Sequence, residues 1–111
     1  MIYNQFDIVK VPFPFTDKDT SKKRPSIVLS SSDYQKKHNH HILAMITSAK
    51  NSAWSDDISI IDLKKAGLPT ASFIRMKIFT LDVRFILEKL GYLAEEEKIL
   101  LAENIKKYLP V

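Results

Sequence analysis

Cysteine is absent from this chain of 111 residues. Its absence excludes a disulfide scaffold, thiolate metal sites and a cysteine nucleophile together. Glycine is nearly absent: Gly67 and Gly91 are the only two. No glycine loop can therefore cradle a nucleotide triphosphate, and no Gly-x-Ser-x-Gly elbow carries a serine nucleophile. Long apolar stretches are missing too. The longest uninterrupted run, Ile42 to Ile46, falls far short of the roughly 20 residues of a membrane helix. The first residues, MIYNQFD, contain neither a basic n-region nor an apolar h-region, so a cytoplasmic protein without membrane association is expected.

What remains is ordinary for one globular domain spanning 1–111. Lysine and arginine number 17 against 13 acids, for a net charge of +4. A basic balance favours an anionic partner such as nucleic acid or an acidic protein segment. The charges are also segregated: Lys18, Lys22, Lys23 and Arg24 crowd one loop, while Glu95, Glu96 and Glu97 cluster near the C-terminus.

The first two thirds read as short strands. Phe6–Val11 is β-branched and apolar and ends at Pro12 and Pro14, since proline cannot donate to a ladder. A polar loop, 15–24, leads to Pro25, which precedes a second strand at Ser26–Ser30. Ser31–Lys37 fits a helical turn with Ser32 as cap. His41–Thr47 is apolar on both faces, as a strand inside a closed sheet would be, and Asp57–Ile61 alternates weakly. Asp62–Ala66 followed by Gly67 predicts one helical turn with a glycine stop. Phe73–Phe79 alternates best, with Ile74, Met76 and Ile78 on one face and Phe73, Arg75, Lys77 and Phe79 on the other. Residues 80–92 fit helix or strand equally. From Ala94, Lys98, Leu101, Ala102 and Ile105 recur at helical spacing, with acids at the start and lysines at the end. The expected class is mainly β (α+β): a small barrel with short helical turns and a C-terminal helix packed on it.

Three groups of residues could carry chemistry. His38, His40 and His41 offer at most two convergent ligands on a strand, with no acid to complete a set, and read as a solvated loop rather than a metal site. Arg24 directly precedes a proline, which restricts its backbone to extended geometry and launches the guanidinium, a fork of donors suited to phosphate, from a defined place. The alternative is a solvated basic loop. Arg75 and Lys77 share a strand face, about 7 Å apart by the strand rise, with Phe73 and Phe79 beside them as possible stacking surfaces; the alternative is core aromatics with snorkelling cations. Thr47 and Ser48 end the apolar strand, where a hydroxyl can face a ligand or cap a turn.

In order along the chain, FDIVKVPFPFTD…KKRPSIVLS, AMITS, GLPTASFIRMKIFTLD and LGYL resemble the MazF/PemK family of toxin ribonucleases, from Phe6 to about Tyr108. The resemblance implies an SH3-like β-barrel with a C-terminal helix, acting as a homodimer. It also implies metal-free and cofactor-free cleavage of single-stranded RNA, to a 2′,3′-cyclic phosphate and a 5′-OH, held in check by an acidic antitoxin. On this resemblance Arg24 and Thr47 are the catalytic residues and Arg75 helps bind or cleave RNA; Phe15, Lys22, Lys23, Ser48 and Lys77 are the further expected RNA contacts. One departure stands out: some members carry an acid two residues after the strand arginine, where this chain has Lys77. Two rivals share the fold expectation, a CcdB-like gyrase poison and a non-catalytic RNA- or peptide-binding barrel. The first is disfavoured because the chain ends Tyr108-Leu109-Pro110-Val111, with its one tryptophan, Trp54, far from that end.

Overall fold

Alternating and doubly apolar stretches become the strands of one sheet. The computed structural model describes residues 1–12, 22–51 and 53–111, and everything below concerns those residues. In chain order they form β1 (Asp7–Pro12), β2 (Lys23–Val28), α1 (Ser32–His38), β3 (His40–Ser48), β4 (Ile58–Ile60), α2 (Leu63–Ala66), β5 (Ser72–Asp82), a 3-10 turn at Val83–Phe85, β6 (Glu88–Tyr92) and α3 (Glu95–Tyr108). The strands make a six-stranded sheet in the order β4-β5-β3-β2-β1-β6, antiparallel throughout and curled into a half-barrel. The mainly β class with a C-terminal helix is as expected.

Each face of the sheet has its own core, because side chains alternate along a strand. On one face Ile8, Ile27, Ala44, Ile46 and Ile74 pack with Leu93 and with Leu101 of α3. On the other, Val9, Val11, Val28, Leu43 and Met45 pack with Tyr3 and Ile86. β3 supplies both cores, which is why it is apolar on both sides. Helix α3 is tied down by polar contacts as well: Ile61 N–H donates to Glu97 Oε1 (3.1 Å) and Asn104 Nδ2 to the Asp56 carbonyl (3.0 Å). Glu97 is thus buried within an otherwise exposed acidic turn.

Both glycines serve a single contact. Gly67 ends α2 at φ +73°, and a Cβ there would lie 2.0 Å from the Leu90 carbonyl oxygen. A Cβ on Gly91 would lie 2.3 Å from the carbonyl oxygen of Lys65. Backbone therefore meets backbone where α2 crosses β6, and only glycine leaves the room.

Several local expectations are corrected. The α1 cap position falls on Ser31, not Ser32, and its side chain makes no capping bond. Pro25 lies inside β2 opposite Lys10 of β1, whereas the β2–β3 ladder begins only at Ser26, so the missing proline N–H costs no bond there. Phe6 is excluded from β1 by a left-handed φ of 73°, while its N–H and C=O are used by Val28 and Leu93. Residues 80–92 resolve into the end of β5, the 3-10 turn and β6.

Candidate functional site

The site follows from register. β2 and β3 pair through Val28 with Leu43, Ile27 with Ala44 and Ser26 with Met45. Carried two residues further along both strands, that register brings Arg24 level with Thr47, on the face of Ser26 and Met45. On the far side of β3, Thr47 pairs with Phe73 and Met45 with Arg75. Arg24, Ser26, Met45, Thr47, Phe73 and Arg75 therefore share one face across three strands, although the chain separates the first from the last by 51 positions. Thr47 and Arg75 are diagonal neighbours, about 7–8 Å apart at Cα.

Within that patch Thr47 is 5% exposed, and its Oγ1 accepts from Asn51 Nδ2 at 2.7 Å. Arg24 is half-buried. Between them Ser26 is fully buried, and its hydroxyl has no hydrogen-bond partner among the described residues. Burial without a partner costs roughly 1–3 kcal/mol. A serine inside an apolar strand carries no sequence signal of that kind.

Arg75 is held by a carboxylate that periodicity did not reveal. The β4–β5 register, Ile58 with Ile74, extended by one pair sets Asp57 opposite Arg75. There Arg75 Nη2 donates to Asp57 Oδ2 at 2.8 Å and Nε to Oδ1 at 3.2 Å, a two-point contact suited to a planar guanidinium. The two side chains are 11% and 2% exposed. Burial pushes the Asp57 carboxyl up, but the hydrogen bonds from Arg75 and the Trp54 backbone outweigh it and hold the group below its usual value. The hydrogen bond to Asp57 raises Arg75 in turn. Where some family members are expected to have an acid two residues after this arginine, here the acid comes from the start of β4. The indole of Trp54 covers the guanidinium at 4.9 Å.

The other expected RNA contacts are dispersed. Lys22 and Lys23 are exposed, and Lys23 alternates to the face opposite Arg24. It lines a cavity of about 280 Å³ with Lys10, Pro25, Pro69 and Leu90, which Arg24 also borders. Ser48 also faces away from Thr47, and its Oγ accepts from the Lys50 N–H at 3.2 Å. Lys77 is exposed because β5 bulges: Ala44 pairs with Ile78 and Met45 with Arg75, which leaves Met76 and Lys77 outside the ladder. The strict alternation expected for 73–79 is interrupted there by two residues, so Phe79, opposite Leu43, keeps the face of Phe73 and Arg75 and packs in the second core. Phe15 lies outside the described residues.

His41 is a core residue rather than part of a solvated loop. It is fully buried, with Nε2 2.9 Å from Gln35 Oε1 and Nδ1 2.6 Å from Ser30 Oγ. Because Gln35 Nε2 donates to the Met1 carbonyl, Oε1 is the acceptor and His41 carries its proton on Nε2. No group of three or more metal-ligating side chains occurs among the described residues, and no helix among them is long and apolar enough to cross a membrane.

Known proteins resemble this fold closely in shape and weakly in sequence. The MazE–MazF complex (form III) of Deinococcus radiodurans superposes with a TM-score of 0.79 at 15% identity, covering 100% of this chain and 99% of that one. The Mycobacterium tuberculosis toxin MazF-mt6 gives 0.74 at 20% identity, covering 95% and 97%. An endoribonuclease bound to its cognate antitoxin from a mycobacterial species gives 0.75 at 9% identity, covering 99% and 95%. No curated protein matches the sequence. Residues 4–109 match the family described as PemK-like, MazF-like toxin of type II toxin–antitoxin systems. The chain, matched over nearly all its length, belongs to that toxin family.

Proposed function

We propose that this toxin is an endoribonuclease that cuts single-stranded RNA at the Arg24–Thr47 patch, without a metal. The observation that supports this reading is the register of β2 against β3, Ser26 opposite Met45, which, continued two residues, sets Arg24 level with Thr47 on one face. In RNA the ribose 2′-OH can attack the adjacent phosphorus. The P–O5′ bond breaks, the 5′ oxygen takes a proton, and the products are a 2′,3′-cyclic phosphate and a 5′-OH. The protein need supply no nucleophile; it orients the attack in line and stabilises the added charge on the phosphoryl oxygens. Arg24 is assigned that electrostatic task, because a guanidinium stays protonated at neutral pH and is a poor base. Thr47 donates a further hydrogen bond through its O–H, which the bond accepted from Asn51 leaves available. Lys22 and Lys77, both exposed, are assigned to the approaching strand.

Two partners belong to the same reading. An acidic antitoxin segment would neutralise the basic face, as suits a chain of net charge +4. A second copy would cover the apolar cavity of about 220 Å³ lined by Leu29, Ile42, Ile78, Ile105 and Leu109, with Ile78 38% and Leu109 50% exposed in the single chain. The proposed site of action is the cytoplasm, where RNA is found.

The decisive experiment is cleavage of a long single-stranded RNA with end mapping. Cyclic-phosphate ends, little effect of EDTA, and a 10²–10³-fold loss in Arg24→Ala with the fold intact are expected, the scale for one preorganised donor. An Arg24→Ala protein that cuts as fast as the parent would refute the assignment. Uncut RNA with tight binding would mark a binding module, and stalled topoisomerase a gyrase poison.

A further inference from the structure

We infer that the exposed indole of Trp54 is a stacking platform for one unpaired base of the RNA that crosses the Arg24–Thr47 patch. The inference rests on the nuclease reading and deepens it. Trp54 is the only tryptophan of the chain, and it lies in the connection between β3 and β4, 44% exposed. Phe85, Tyr92 and Tyr108 are as exposed, but the Trp54 backbone is held from two sides. Its N–H donates to Asp57 Oδ2 at 2.8 Å, and its carbonyl accepts from the Asp57 N–H at 3.1 Å. The Asp57 carboxylate that grips the Trp54 backbone also grips the Arg75 guanidinium, which lies 4.9 Å from the indole centroid. Ring, cation and carboxylate are thus one preorganised unit at the sheet edge.

The unit has the chemistry a nucleobase needs. An aromatic face stacks on any base, because every base presents a π-face, and the buried guanidinium fixes the ring from one side. The residue beneath the ring, Arg75, is the diagonal neighbour of Thr47, so the platform is within a nucleotide or two of the phosphate placed at Arg24 and Thr47. Lys50 and Lys77, four residues before Trp54 and two after Arg75, are exposed, which suits the backbone of an anionic strand. The ring also borders a cavity of about 340 Å³ with Met76, Ile78, Tyr108 and Leu109, two of which line the cavity given above to a second copy. The exposed lysines and the net charge of +4 favour the nucleic-acid strand, and the oligomeric state tests the alternative.

The single indole makes the test direct. Trp54 emission is followed while a 2′-O-methyl RNA oligonucleotide pool, which cannot be cleaved, is titrated in; anisotropy of a dye-labelled sample of the same pool reports binding independently. The expected result is a change in indole emission whose midpoint coincides with the anisotropy midpoint. Trp54→Ala should weaken binding about 5- to 100-fold, the effect of one base stack, and Trp54→Phe should retain most of the affinity. Binding with unchanged emission, or Trp54→Ala binding within twofold of the parent, would overturn the platform while leaving the nuclease reading intact. Absence of binding to the parent protein would instead overturn the nuclease reading, and the platform with it. Light scattering of both variants completes the test: an unchanged oligomeric state is expected, and a parent dimer that becomes monomeric in Trp54→Ala would assign the indole to a subunit contact.

Discussion

Replacing Asp57 with asparagine keeps the shape of the side chain and an oxygen for the Trp54 N–H, but removes the charge facing Arg75. The Arg75 side chain is only 11% exposed, so water cannot take the place of the lost carboxylate. Leaving one member of a buried pair uncompensated costs about 3–5 kcal/mol, and the indole on the other side of the guanidinium recovers only a small part of that. In a domain of this size about 4 °C accompanies each kcal/mol, so a fall in Tm of roughly 12–20 °C is expected. Thermal denaturation followed by circular dichroism measures it. Acid dependence supplies a second, independent reading. The folded carboxyl titrates below its usual value, so between the folded pKa and about 3.8 the unfolded chain binds a proton that the folded chain does not. The pair's contribution is therefore complete above that window and is lost as pH falls through the folded pKa, and Asp57→Asn should flatten this acid limb. Combining it with Arg75→Met removes both charges and should restore most of the stability. If Asp57→Asn lies within 1 kcal/mol of the parent and its acid limb is unchanged, the pair does not hold the β4–β5 edge together, and the preorganisation argued for Trp54 fails with it.

Two further outcomes follow from the cores. Gly91→Ala should destabilise the fold by about 1–3 kcal/mol in urea titrations, since the added Cβ would stand 2.3 Å from the Lys65 carbonyl oxygen; an unchanged midpoint would show that α2 can retreat from β6 freely. Burial pushes the His41 pKa down, against smaller opposing effects of the Tyr3 backbone and Asp7, so the unfolded chain binds a proton below about pH 6.5 that the folded chain refuses. Stability should fall from about pH 6.5 downward and level off beneath the folded pKa. The slope should shrink in His41→Gln, and equal slopes in the two proteins would count against the buried neutral imidazole.

Features that depend on near neighbours along the chain were legible before any coordinates. Alternation marked β5, and the doubly apolar stretch marked β3. Gly67 marked the end of α2, and three- and four-residue spacing marked α3, because periodicity reports which side of an element meets the core. The resemblance over Phe6 to Tyr108 assigned Arg24 and Thr47 to one site, yet nothing in their local surroundings says that they meet. Their place on one sheet face follows from strand order and register, since a strand's neighbours in the sheet are chosen by pairing and not by proximity in sequence. The same holds for Asp57, an unremarkable loop acid until the β4–β5 ladder sets it against Arg75, and for His41, whose burial depends on Gln35 and Ser30 arriving from other elements. The β5 bulge took Met76 and Lys77 out of the ladder, which a pattern assuming an unbroken pleat did not show, while Phe79 kept the face of Arg75. Local pattern thus settled which segments are strand or helix, through the geometry of one chain segment. Long-range pairing settled which side chains share a cleft, through contacts that close only when distant segments have docked.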